Sequence, residues 1–191
     1  MSSLIKTGPK TVTRLWETAC AVRTLDLSGV VQDPAPVISV DGAQCEAVPL
    51  DGLLRDPDEL QAQFLDAVKS LQGYGANGGL PAITFTPSIR LTAEIWRPGH
   101  EVPQDSSPDD LIGWCFISAT GPRHQDSGSV ALLDPRAGSE RTAMPGLPWG
   151  REFTFRPVPG LLAVAPGWLT STVRPLEDGQ TAVVVVAHVT I

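Results

Sequence analysis

The run HEVPQDSSPDD gathers His100, Glu101, Asp105, Asp109 and Asp110 within eleven residues. A carboxylate beside an imidazole can act as a general base, and an imidazole can carry the proton near neutral pH, so His100, Asp105 and Asp109 are the candidate catalytic residues. The same run also reads as a solvated acidic turn. A second group is His124-Gln125-Asp126, a literal His-x-Asp, with His188 following 64 residues later. Two imidazoles and a carboxylate at such a separation suit a transition metal. The alternative is a polar turn before Ser127-Gly128 and a histidine on a terminal strand. Cys20, Cys45 and Cys115 form no Cys-x-x-Cys pair, and their odd number describes neither a disulfide framework nor a zinc site, which leaves packed thiols. No Gly-x-Ser-x-Gly elbow, Walker loop or zinc-helix motif occurs.

The elements that must carry these groups are mostly strands. Eighteen Pro and eighteen Gly among 191 residues mark many turns, and 42% hydrophobic with 18% charged residues is a globular composition. Segments with strand character run from Val12 to Trp16, Val22 to Leu27, Val37 to Val40, Ile83 to Phe85, Arg90 to Trp96, Ile112 to Ala119, Val130 to Leu133, Glu152 to Arg156, Leu161 to Ala165 and Ala182 to Ile191. The last, AVVVVAHVTI, is a β-branched run that suits a strand buried on both faces. One helix is expected over Asp56 to Gln72, capped by Asp56 or Asp58, with Pro57 in its first turn and Leu60, Phe64, Val68 and Leu71 on one face. The glycines of Gly73 to Gly79 are expected to end it in a loop. That loop follows a helix instead of opening one, which disfavours phosphate binding.

A net charge of −7 and a pI near 4.8 disfavour nucleic acid and anionic membranes as partners, leaving a small molecule or a protein. The stretch MSSLIKTGPK has no apolar signal region, and no stretch of the sequence has the length of a membrane span, so a cytoplasmic location is the expectation.

From Leu91 onward the chain carries, in order, AEIWRPG (Ala93 to Gly99), IGWCFIS (Ile112 to Ser118), GSVALLDPR (Gly128 to Arg136) and GLLAVAPGWLTSTVRPLEDGQTAVVVV (Gly160 to Val186). This order of features resembles a bacterial family of 2-oxoglutarate/iron(II) oxygenases. The resemblance covers roughly the last hundred residues. It implies a double-stranded β-helix, iron held by two His and one carboxylate, and an Arg paired with the distal carboxylate of 2-oxoglutarate. Carried over by position, the first His and its carboxylate partner fall on or beside Gln104 and Ser106, the distal His on Ser171, and the Arg on Thr181 or Ala182. These side chains cannot perform those roles, although Arg136 or Arg174 offers a replacement guanidinium.

The expected fold is therefore mainly β: a jelly-roll or cupin-like double-stranded β-helix with an N-terminal extension and one or two supporting helices. One domain is expected over residues 1–191, with N-terminal strands and the helix in 1–90 and the barrel core in 91–191. The expected function is small-molecule binding by an oxygenase-like barrel without iron or 2-oxoglutarate, with metal-free isomerisation, cyclisation or elimination. A non-catalytic binding or scaffold protein is one alternative. The other is a working iron(II)/2-oxoglutarate oxygenase with ligands relocated to His124, Asp126 and His188. Candidate ligand-binding residues are Trp96, Gln104, Trp114, Trp168, Ser171, Arg136 and Arg174. Trp96, Trp114, Trp149 and Trp168 also read as core or rim residues, and the Trp168 indole is expected to pack against the barrel wall. A homodimer is a further expectation.

Overall fold

Short strands broken by Gly and Pro, with one long helix, follow from this composition. The computed structural model describes residues 11–15, 18–32, 38, 41–77, 85–120, 124–135 and 152–191. Most of the expected strands at Val37 to Val40 and Ile83 to Phe85 lie outside the described residues, as do Trp16, Arg136 and Trp149. In chain order the elements are β1 (Thr11–Leu15), β2 (Thr18–Thr24), β3 (Cys45–Val48), α1 (Pro57–Asn77), β4 (Ser88–Trp96), β5 (Val102–Asp105), β6 (Leu111–Ala119), β7 (Val130–Leu132), β8 (Phe153–Phe155), β9 (Leu161–Pro166), β10 (Ser171–Val173) and β11 (Ala182–Thr190).

Two antiparallel sheets result. The larger has the order β1-β2-β9-β6-β11-β4-β3 and the smaller β5-β10-β7-β8. From β4 onward the chain crosses repeatedly between the sheets, and the inner quartet β4-β11-β6-β9 matches the order of its partners β5-β10-β7-β8. This is a double-stranded β-helix, a jelly roll whose N-terminal strands β1, β2 and β3 lengthen the larger sheet.

The closing strand β11 sits centrally, with β4 and β6 as neighbours. Its alternation separates two cores. Val183, Val185, Ala187 and Val189 belong to the layer shared with α1. Ala182, Val184 and Val186 belong to the layer between the sheets. Both sets are buried, which is why the sequence shows β-branched residues without alternation.

Helix α1 begins as its sequence dictates, with the Asp56 carboxylate accepting from the Glu59 amide at 3.0 Å and Pro57 in its first turn. Leu60, Phe64, Ala67 and Val68 are its buried stripe. Phe64 fits a notch at Gly113 on β6, where an added Cβ would lie 2.7 Å from the ring. Arg23 of β2, itself buried, holds the helix through Asp66 at 2.9 Å and the Gln63 carbonyl at 3.3 Å.

Three expectations need correction. The helix runs through Gly73 and Gly75 to Asn77, since a helical glycine costs only about 1 kcal/mol relative to Ala and cannot by itself end a helix. Strands β3, β5 and β10 were not expected, being short segments with polar residues and, in β5, a proline. Finally, Trp168 is 58% exposed and does not pack on the barrel wall. Its neighbour Leu169 takes the buried position in the intersheet core, and the turn between β9 and β10 leaves the indole outside.

Candidate functional site

The intersheet space has two ends. One carries Ala182, Trp96 and Ala119, which are mutual register partners on β11, β4 and β6. The other carries Val189, Leu111 and Pro166, together with the start of β10 and the end of β5. We call the second end the mouth. Between the ends, Trp96, Trp114, Phe116, Leu132, Phe155, Val184 and Val186 form a continuous buried cluster. Trp96 meets Phe116 edge-on with centroids 6.0 Å apart, and Trp114 lies 6.4 Å from Phe155. The Trp96 indole N–H donates to the Glu94 carboxylate at 2.7 Å, so this indole is satisfied within the packing.

At the mouth the inward row of β11 turns polar. His188 continues the face of Val184 and Val186, and Thr92 on β4 lies diagonally from it, since Arg90 pairs with His188 and Thr92 with Val186. His188 Nδ1 is 2.7 Å from Asp109 Oδ2, and its Nε2 is 3.3 Å from Thr92 Oγ1. Ser107 Oγ donates to the same Asp109 oxygen at 2.9 Å and accepts from the Asp109 amide at 3.2 Å. Burial of Asp109 disfavours its charged form, but hydrogen bonds from His188 and Ser107 and the charges of His188 and Arg90 outweigh it. The carboxyl is held below its ordinary range. An ionised Asp109 only accepts, so Nδ1 carries a proton, and whenever the ring is neutral Nε2 is an acceptor facing the Thr92 hydroxyl.

The loop holding Asp109 is fixed by contact with the turn between β9 and β10. The Ser107 amide donates to the Gly167 carbonyl at 2.8 Å, and the Gly167 amide to the Asp110 carbonyl at 2.9 Å. A Cβ on Gly167 would lie 1.8 Å from the Asp109 carbonyl oxygen, so the approach requires glycine. The next residue, Trp168, therefore stands on the rim beside the acidic loop.

The sequence candidates fall in different places. Asp105 and Ser171 are register partners on β5 and β10, with Gln104 and Ser106 flanking Asp105. Ser171 shares the inward phase of the buried Val173. Asp109 and His188 meet, as described. His100 does not join them: it lies between β4 and β5 at the far end, its ring tilted 38° against that of Trp96 with centroids 5.1 Å apart. It is 7% exposed, and its Nε2 has no hydrogen-bond partner among the described residues. Burial lowers its pKa, opposed by Glu94 and Glu101. His124 and Asp126 also lie at the far end, in the turn before β7, where the His124 amide donates to Glu177 at 3.1 Å. The structure does not bring them to His188, which sits near the mouth end of β11. Arg174 is ion-paired with Glu152 and lines a cleft of about 260 Å³ with His124, Asp126, Ser127, Pro175 and Glu177. Trp96 and Trp114 are core residues.

Sequence reading overlooked Thr92 and Ser107. The available signal was the phase of His188, a polar residue on the buried parity of β11 beside a hydroxyl on its neighbour strand.

The residues at the positions where the resemblance puts iron do not fit that metal. Gln104, Ser106 and Ser171 supply amide and hydroxyl oxygens where imidazoles and a carboxylate are needed. Among the described residues no group of three or more His, Cys, Asp or Glu is disposed to hold a metal ion. The position for the 2-oxoglutarate arginine fits no better. Thr181 bonds through its amide to the Thr120 hydroxyl at 2.7 Å, and Ala182 is buried against the aromatic cluster.

No protein-family model and no curated protein matches the chain. Among similar solved structures is a Pseudomonas putida prolyl-4-hydroxylase, at 14% identity and a TM-score of 0.47 over 78% of this chain and 72% of that one. Another is a viral collagen prolyl hydroxylase from Paramecium Bursaria Chlorella virus-1, at 10% identity and a TM-score of 0.46 over 77% of this chain and 78% of the other. A cupin domain from Bordetella pertussis is similar at 14% identity and a TM-score of 0.33 over 57% of this chain and 88% of its own. At these values no residue's role is taken from the likeness.

Proposed function

We propose that this chain is an oxygenase-like barrel that has lost iron and 2-oxoglutarate binding, binds a small molecule at its mouth, and promotes metal-free isomerisation, cyclisation or elimination there. One observation carries the reading. At the mouth, the place of the distal iron ligand holds Ser171, while the polar groups that do converge are the hydrogen-bonded Asp109, His188 and Thr92. Such a set moves protons and needs no metal to do so. Gln104, Ser171 and Trp168 border the mouth and are the residues proposed to touch the ligand. Barrel mouths are common ligand sites, which supports the placement.

The filled intersheet core favours a second reading, a scaffold that binds a partner without catalysis. Thermal melts separate the two. The first reading predicts no upward shift with 2-oxoglutarate and a saturable shift with some member of a panel of uncharged and cationic metabolites. That shift should vanish in Ser171→Trp, which plugs the mouth. A panel giving no shift that Ser171→Trp removes favours the scaffold.

A further inference from the structure

We propose that His188 is the general base of this site, with Asp109 as its positioning residue and Thr92 as the hydroxyl that meets developing negative charge on the substrate. The inference rests on the small-molecule reading above and names the substrate class: a flat, uncharged or cationic carbon acid.

The geometry assigns the roles. Asp109 at 2.7 Å from Nδ1 fixes the tautomer, so Nε2 is the basic atom. The 3.3 Å approach of Thr92 Oγ1 to Nε2 is long for a hydrogen bond to a hydroxyl. An entering substrate proton can therefore replace it, freeing the Thr92 hydroxyl to donate to a forming oxyanion. His188 and Asp109 have side chains 24% and 18% exposed, so the pair is partly shielded but reachable.

Charge and shape select the substrate. Asp105, Asp109 and Asp110 lie on the end of β5 and the loop after it, His188 and Arg90 are the cations acting on Asp109, and the chain carries −7 overall. Anionic acids are thus disfavoured. Trp168, 58% exposed and one residue from the Gly167 contact with Asp109, offers a stacking face for a planar or cationic group.

The step balances without a co-reactant. Nε2 takes the proton as the C–H bond breaks, and that electron pair enters the adjoining unsaturated system. The imidazolium, stabilised by Asp109, then returns the proton to another atom of the same molecule.

The probe is 5-nitrobenzisoxazole, a flat uncharged carbon acid. Proton removal breaks its N–O bond and releases a coloured nitrophenolate. The full chain should open it faster than buffer. His188→Gln should lose roughly 10²-fold or more, the usual worth of a general base. Asp109→Asn should lower kcat and displace the acid limb of the pH–rate profile, Trp168→Ala should raise KM with kcat kept, and His124→Gln at the far end should change nothing. Circular dichroism melts confirm folding of each variant. If His188→Gln does not fold, ring NMR of the wild-type chain decides: the titration midpoint of His188 must coincide with the acid limb. Probe binding that quenches tryptophan fluorescence in the parent but not in Trp168→Ala, with turnover unaffected in folded His188→Gln, overturns the base assignment and leaves the small-molecule reading standing. Neither quenching nor turnover above buffer overturns both.

Discussion

His100 shows how one buried group writes itself into the pH response. Its ring is buried against Trp96 with Nε2 unpartnered, and its pKa is lowered by that burial. The unfolded chain binds a proton near pH 6.5 that the folded chain resists, so stability rises with pH and is lost as pH falls below about 6.5. His100→Phe keeps an aromatic ring against Trp96 and removes the titration. Urea melts should find it more stable than the parent, with a larger gain at pH 5.5 than at pH 8. The two tryptophans tested by substitution should behave oppositely. Trp96→Ala empties the core and should cost ~3–5 kcal/mol, whereas Trp168→Ala, on the exposed rim, should stay within about 0.5 kcal/mol. Position in sequence did not distinguish these indoles. What separates them is that Trp96 stands on the inward phase of β4 whereas Trp168 lies in the turn after β9, and residue types alone do not reveal this.

At the scale of elements, the site depends on two connections meeting. The loop from Ser106 to Asp110 and the turn at Pro166 to Trp168 are joined by paired backbone hydrogen bonds across Gly167. Gly167→Ala must push the Asp109 carbonyl away, which should lower the melting temperature and lengthen or break the contact of Asp109 with His188. The His188 ring resonances would then lose their sensitivity to Asp109→Asn. The long strands and the start of the helix were legible because β-branched runs, apolar spacing and the Asp56-Pro57 cap act locally. Strands β3, β5 and β10 were not, because short polar strands form only when a neighbour supplies the register. The Asp109 to His188 contact spans 79 residues, and pairing across that separation is fixed by sheet order, which the sequence does not display.

For the whole molecule, Asp109 links the mouth to acid stability. Its folded pKa lies below its ordinary value, so its contribution is present above about pH 4 and is lost as pH falls further. Asp109→Asn should flatten the melting temperature between pH 5 and pH 2 relative to the parent. The order of matching segments after Leu91 was enough to expect the double-stranded β-helix, and β4 through β11 form it. The His-x-Asp at His124 already stood apart from His188 by its place after the Ile112 to Ala119 strand, and the coordinates set the two at opposite ends of one barrel. The central proposal is that the mouth does not hold iron. Anaerobic loading of the full chain with iron(II) and 2-oxoglutarate, desalting and elemental analysis test it directly. The account predicts iron far below one per chain, unchanged in His188→Gln. One iron per chain that survives desalting would contradict it.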